Sequence, residues 1–556
     1  VRWFGGCAPE PADAPIPVDA DLLWIDPPLW TVGSWQSQHV RTIVHAASRL
    51  VVIGPCSATA GELQAAVDTP DLGTAIGNWT GSFTTIRSTA IRVEIVTDAS
   101  GACPVYTTRT DDGQIIWGSS SRALAALTSA DVNRVWLTAY LADKLAVPRD
   151  QSAWEGVNLV PPGHRLVLEG GDSTVTRWWI PEKRPRNEAL DRIRTALIEG
   201  VRSRATGERV STDLSGMDST TLAAIAARMG PVTGVTAHPE GVTRGGDLDY
   251  VRALDIPGLA RERFSITERH LPFSPGDDPL LPTDEPPPSA VSWAAFAGQL
   301  RHAATSGAVS HLTGDGGDNH FLPPPTHLAE LARNHQWTRV WHDSCGWARL
   351  RRRSPWPLVR AALTQDINAL ARSTASPPPW SHDAPVARDR YLDADHALVT
   401  LIHRVTRAAA SDIQLADHAG VVQHNPYFDG AVLDAVVSLP AADRFSVERY
   451  KPALVDAVGD LLPQSVRERT TKGSFVADYH RGLRTNLKRV LDLCDGPLTD
   501  MGLVDGIKLR AAVHAASLGT RTPWAHLATT LGTQIWLLAL RDSPSPRWVR
   551  SRDVVA

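Results

Sequence analysis

Two short clusters in this sequence carry the residue types that handle phosphate and a divalent cation. The first is Leu214-Ser215-Gly216-Met217-Asp218-Ser219-Thr220, between a β-branched run at Val210-Ser211-Thr212 and apolar residues at Leu222, Ile225, Ala226 and Met229. That spacing predicts one apolar helix face, stopped by Gly230-Pro231. A strand, a tight turn and a helix start leave backbone N–H groups aimed into the turn, where they hold an anion. Ser215, Ser219 and Thr220 add hydroxyl donors, Gly216 permits close backbone approach, and Asp218 can hold Mg²⁺ on a phosphate. There is no G-x-x-x-x-G-K-[ST], so this is not a P-loop, and taken alone such a turn is more often ordinary helix capping. The second cluster, Thr313-Gly314-Asp315-Gly316-Gly317-Asp318-Asn319, follows a strand-like run at residues 308–312. It lacks the D-x-D-x-D-G spacing and later glutamate of an EF-hand.

The elements around these clusters alternate. After Asn187 a helix with Leu190, Ile193, Leu197 and Val201 on one face is expected. Strands follow at 210–213, 232–236, 263–266 and 308–312, with helices between them. Such alternation predicts a parallel α/β sheet with its ligand at the C-terminal strand ends. The last third reads as helical. Upstream, residues 49–54, 90–97 and 113–118 read as strands, with Asp111-Asp112-Gly113 as a hairpin signal between the second and third. A Pro- and charge-rich stretch at 177–186 separates a β-rich domain, 1–180, from a second domain, 187–556.

Composition narrows the function classes. Charged residues are 21% and the formal net charge is −4, so no bulk polyanion surface and no nucleic-acid partner are expected. The five cysteines are scattered without a C-x-x-C pair, which argues against a disulfide framework or zinc site and fits a reducing cytoplasm. No signal-peptide core and no apolar run of membrane-spanning length is present, so no membrane span is expected. The arginine patch at 349–353 reads first as a solvated helix face, and second as a contact for an acidic peptide or partner.

Further segments, taken in order, resemble asparagine synthetases. Ser215-Gly216-Met217-Asp218-Ser219 is similar to the S-G-G-x-D-S pyrophosphate loop of ATP pyrophosphatases, with one glycine where that family usually has two. Residues 96–106 resemble R-D-x-x-G-x-x-P-L-Y, residues 118–124 resemble A-S-E-x-K-A-L, and residues 157–164 contain a turn similar to L-P-P-G-H. Thr313–Asn319 resembles S-G-E-G-x-D-E with Asp315 in place of Glu, and Asn425-Pro426-Tyr427-Phe428-Asp429 resembles V-P-F-L-D. Residues 450–454, 461–463 and 469–475 resemble K-x-x-L, L-P and R-x-K-x-G-F. The resemblance implies an N-terminal-nucleophile glutaminase-like sandwich followed by an ATP-pyrophosphatase-type parallel α/β synthetase domain. It implies ATP and Mg²⁺, a nucleotide site at Leu214, Ser215, Gly216, Asp218, Ser219, Thr220, Val235, Thr313 and Gly314, and a metal shared by Asp218 and Asp318, both in solvent-facing turns. Lys472, in a chain with only six lysines, would neutralise the departing pyrophosphate. Asp284 and Glu285, in a turn similar to the family's D-E-P, and Lys451 are weaker substrate-binding candidates; the bland reading of 281–288 is an extended polar connector.

The departures are informative. The position matching the glutaminase nucleophile falls near Trp3, and Cys7 does not stand at the terminus, so glutamine hydrolysis is not expected. With Asp315 and the shortened loop, this looks like the macrolactam synthetases of lasso peptides. That resemblance implies adenylation of an Asp or Glu side chain in a precursor peptide and attack by the peptide's own N-terminal amine, with Asp315 and Lys472 catalytic. The implied partners are the precursor peptide, a leader-peptide-binding protein and a leader peptidase. A β-lactam or carbapenam synthetase is the second reading, although that family has Tyr at Asp315, and a glutamine-independent asparagine synthetase-like ligase is another. A non-catalytic scaffold for nucleotide or peptide is the third class, separated from the enzymes by pyrophosphate exchange.

Overall fold

The computed structural model describes residues 1–9, 13–144, 147–205, 207, 209–277, 280–371, 378–382, 390–469 and 476–550. In the first domain two six-stranded antiparallel sheets pack face to face. One sheet has Trp3–Cys7 between Pro28–Val32 and Ile115–Gly118; the other contains Ser48–Ile53, Thr84–Ser88 and Arg92–Val96. Phe4, Trp117, Ile86, Ile95 and Leu166 fill the space between them. The hairpin expected at Asp111-Asp112-Gly113 forms, but its first strand is Val105–Arg109 rather than Arg92–Val96, which lies in the opposite sheet. The chain crosses between sheets at residues 97–104, where Gly101 has a positive φ that favours glycine.

The second domain is built on a five-stranded parallel sheet in the order Leu259–Ile266, Val232–Pro239, Val210–Asp213, Ser310–Leu312, Val422–His424. From the central strand Val210–Asp213 the chain winds first to one side and then to the other. The crevice between the ends of Val210–Asp213 and Ser310–Leu312 is therefore the topological switch point, where ligands bind in open α/β sheets. The helix Met217–Ala226 is buried at all ten positions, not on the single face that its spacing suggested. It is packed into the main core with Leu190, Ile193 and Leu197 of the helix Arg186–Ala205 and with Val432 and Val436.

The two domains are not separated by a gap. Trp136 and Leu137 of the first share one core with Leu527, Leu531 and Trp536 of the helix Trp524–Asp542. A short strand, Trp548–Arg550, returns to pair antiparallel with Pro15–Pro17. Among the described residues no helix is long and apolar enough to cross a membrane.

Candidate active site

The turn after the central strand is held open by its own polar groups. Ser219 Oγ accepts the N–H groups of Ser215 and Gly216 at 3.2 and 3.3 Å, and Thr220 Oγ1 donates to the Gly216 carbonyl at 2.7 Å. Leu214 is buried against Gly234, where a Cβ would lie 2.7 Å from Leu214 Cδ2, and Thr236 Oγ1 ties its carbonyl at 2.7 Å. Space is left open at Gly216, where an added Cβ would meet nothing within 4 Å. The glycine-rich loop of the neighbouring strand closes over this turn. A Cβ at Gly314 would lie 2.8 Å from Ser219 N, and one at Gly317 would lie 2.3 Å from Asp218 Cγ, so only glycine permits the two loops to meet.

Where they meet, the two aspartates grip a cation. Lys451 Nζ lies 2.6 Å from Asp218 Oδ1 and 2.6 Å from Asp318 Oδ1. Lys451 is fully buried, and it takes the left-handed conformation, φ 46°, as it caps the helix Pro452–Val458. Asp218 was expected in a solvent-facing turn; it is instead buried, because the second loop and Tyr427, whose hydroxyl donates to the Asp218 carbonyl at 3.1 Å, cover it. The two carboxylates converge on one positive charge, that of Lys451. Among the described residues no cluster of three or more His, Cys, Asp or Glu is arranged to hold a metal. Two carboxylates suit Mg²⁺, which usually takes one or two and completes its shell with water and substrate phosphate. Bound there, it would neutralise charge on the phosphates.

The crevice is lined by Ser215, Gly216, Asp218, Ser219, Gly314 and Asp315 of the expected site, and by Asp213, Tyr450 and Arg469, which were not expected there. Arg469 stacks over the Tyr250 ring, 3.8 Å from its centroid, pairs with Asp247 and donates to the Ser215 carbonyl. Asp213 is fixed by Gln299 Nε2 at 2.5 Å and lies 3.1 Å from His311 Nε2. The signals for Tyr450 and Arg469 were present, since each opens a segment that carries a candidate lysine. Asp315 is exposed at the crevice mouth, and its N–H donates to Thr313 Oγ1 at 3.3 Å. Thr313 itself is buried beneath the loop. Val235 is buried in the sheet and contributes its carbonyl to Leu214 N–H at 2.9 Å, not a side chain to the crevice. Lys472 lies outside the described residues.

Asp284 and Glu285 sit in the domain interface, away from the crevice lining. Asp284 accepts from Ser120 Oγ at 2.6 Å, from Arg122 N–H at 2.8 Å and from Gln414. Glu285 is paired with the buried Arg407, which donates at 2.9 and 3.0 Å from Nε. Burial pushes both carboxyls up and these partners oppose it. Cys7 is 1% exposed, its thiol 3.8 Å from the Pro15 carbonyl and pushed well up by burial. All five cysteines are free.

The aspartate pair gives a direct test. Asp318, whose side chain is 46% exposed, can lose its charge without unfolding the protein, so Asp318→Asn is expected to remain folded and to lose Mg²⁺-dependent pyrophosphate exchange. Exchange at the wild-type rate in that folded variant would remove the metal assignment.

The Asparagine synthase family profile matches residues 192–538, and the Glutamine amidotransferase domain profile matches residues 75–179. No curated protein matches the chain. Among solved structures, one described as the allosteric regulatory enzyme of purine biosynthesis is similar at 9% identity, over 52% of this chain and 66% of that one, with a TM-score of 0.20. A glutamine phosphoribosylpyrophosphate amidotransferase from B. subtilis, complexed with ADP and GMP, is similar at 11% identity, over 54% and 68%, with a TM-score of 0.21. The chain thus spans about two thirds of the length of each. With a glutamine amidotransferase-type domain ahead of a parallel sheet whose switch point carries this crevice, the chain belongs to the asparagine synthase family, a family of ATP-dependent, AMP-forming, amide-forming ligases.

Proposed function

We propose that the enzyme is a macrolactam synthetase acting on a peptide. An Asp or Glu side-chain carboxylate attacks the α-phosphorus of ATP, the α–β bond breaks and pyrophosphate leaves. The peptide's N-terminal amine then attacks the acyl carbon, the bond to AMP breaks, and the amine's proton passes to a base. The observation that carries this reading is Asp315, an exposed carboxylate at the crevice mouth, three residues before Asp318 and beside the turn that would hold the phosphates.

Two further features support it. Cys7 is walled into the first domain's core and is not available as a glutamine-hydrolysing nucleophile, which favours an amine carried by the substrate. A second cavity, lined by Tyr140, Lys144, Pro287, Tyr479 and Trp524, offers aromatic walls to a peptide. Residues 286–288, which line it, lead to Ser289, whose Oγ donates to Asp412 at 2.5 Å; Asp315 and Lys144 both act on the charge of that half-buried carboxyl. The precursor peptide is the partner this reading requires, and a leader-binding protein and a leader peptidase are the further partners it proposes.

The test is the source of the amine. A peptide with a free N-terminal amine and an internal Asp or Glu is expected to drive ATP-dependent AMP release without glutamine, equally in the wild type and in Cys7→Ala. Glutamate formed from glutamine, and lost in Cys7→Ala, would overturn the macrolactam reading.

A further inference from the structure

The two nucleotide loops belong to different strands, yet one short segment touches both. Tyr427 Oη donates to the Asp218 carbonyl at 3.1 Å in the first loop. Asn425 Oδ1 accepts from Thr313 Oγ1 at 3.0 Å in the second, and the His424 carbonyl accepts from Thr313 N at 3.0 Å. Gly316 of the second loop, at φ +93°, presses on the Phe428 ring, where a Cβ would lie 2.6 Å from Cε1. These contacts are buried, and densely packed contacts transmit displacement instead of absorbing it.

What fixes that segment comes from the other domain. Ser100 Oγ donates to the Phe428 carbonyl. Ser82 Oγ donates to Asp429 Oδ1 at 2.7 Å, beside the buried Arg204, which donates to the same carboxylate at 2.5 and 2.9 Å. Ala99 lies against Gly430 so closely that a Cβ there would be 3.1 Å from Ala99 N. Ser100 is itself held in place: Asp98 accepts its N–H at 2.8 Å and the N–H groups of Gly101 and Cys103 at 2.9 and 3.0 Å, and Asp98 Oδ1, 2.6 Å from the Ser100 Oγ, shares the single hydroxyl proton with the Phe428 carbonyl. Asp98 and Ser100 are buried and belong to the glutamine amidotransferase-type domain.

We propose that residues 424–429 form a strut through which the N-terminal domain sets the geometry of both nucleotide loops, with Tyr427 and Asn425 as positioning residues and Ser100 as their anchor. The domain then serves the ligase reaction by holding the phosphate turn and the glycine-rich loop at one separation, whatever its own hydrolytic state. Coupling of this kind is reciprocal: if the anchor improves nucleotide binding, nucleotide binding must steady the anchor by the same free energy.

The inference rests on the nucleotide reading of the crevice and is tested with Mg-ATP as the probe on the full chain. Titration of Tyr427→Phe and Ser100→Ala, each missing one hydroxyl hydrogen bond, is expected to show Mg-ATP binding weaker by roughly three- to ten-fold. In the wild type, Mg-ATP is expected to slow amide hydrogen exchange at Ser100, Gly101 and Cys103, a response that a merely structural interface does not give. This second measurement needs no variant, so it stands even if Ser100→Ala fails to fold. Normal Mg-ATP binding with unchanged exchange at those amides overturns the strut. A wild type that does not bind Mg-ATP at all overturns the nucleotide reading, and the strut with it.

Discussion

Lys451→Ala is expected to lower the stability of the protein by about 3–5 kcal/mol, the usual effect of removing one partner from a buried ion pair. Lys451 is fully buried, and the side chain of Asp218 is 11% exposed. Without the ammonium, the Asp218 carboxyl loses the charge that offsets its desolvation in a place that water hardly reaches. Such a loss is a large part of the roughly 5–15 kcal/mol that holds a typical domain together. Mg²⁺ is expected to return part of it, because an ion that binds the folded carboxylate pair and not the unfolded chain stabilises by mass action. Thermal unfolding of Lys451→Ala with and without millimolar Mg²⁺ reads both effects. A variant that melts with the wild type would mean that the carboxylates do not depend on this charge. One that is destabilised but indifferent to Mg²⁺ would mean that they do not accept a divalent ion. The double variant Asp218→Asn/Lys451→Met separates the terms: with both charges gone, most of the lost stability should come back.

Asp315→Asn is expected to split the reaction in two. An α-amine has an unperturbed pKa of about 7.7–8.0, so much of it carries a proton at neutral pH and must lose it to attack. Asp315 is exposed at the crevice mouth. Asp412, the nearby carboxyl on the helix Ala394–Ala416, is pushed up to about 7 by burial, with Ser289 opposing the shift and the charge of Asp315 adding to it. Below neutral pH Asp412 is therefore mostly protonated, and Asp315 is the exposed carboxyl at the crevice mouth. Asp315→Asn should still form the acyl-adenylate and exchange pyrophosphate, but product release should fall by 10²–10⁴-fold, the range that a general base contributes. If both half-reactions fall together, Asp315 only shapes its loop. Normal ring closure by the folded variant would remove it from the mechanism.

The elements that position the site were legible because their patterns are local. The β-branched run before Leu214, the alternation of strands and helices and the glycines of both loops follow from short-range rules, and each stands where those rules put it. The strand Val422–His424 was missed, since Val-Gln-His has no apolar run and is recruited by the neighbouring Ser310–Leu312. Long-range partners decide what sequence cannot. Asp284 and Glu285 read equally well as a substrate site or a connector until Arg407, 122 residues beyond Glu285, claims one carboxylate. Lys451 stood as a weak substrate candidate, and the fold places it between two aspartates that lie 233 and 133 residues earlier in the sequence. A polar turn usually faces solvent, which is where the sequence puts Asp218; the covering groups, Gly317 and Tyr427, come from two other strands' loops.

The strand Trp548–Arg550 has a consequence for how the protein is made. Trp548 packs tilted against Trp3 and edge-on against Trp30, at 5.8 and 5.9 Å between ring centroids, and its Nε1 donates to the Ala123 carbonyl at 3.1 Å. Its strand also covers Pro15–Pro17. A ribosome has to deliver some 530 further residues after Trp3 and Pro15 emerge before this clasp can close. Throughout that interval Trp3, Trp30 and the Pro15–Pro17 edge lack the cover that Trp548–Arg550 supplies in the finished fold.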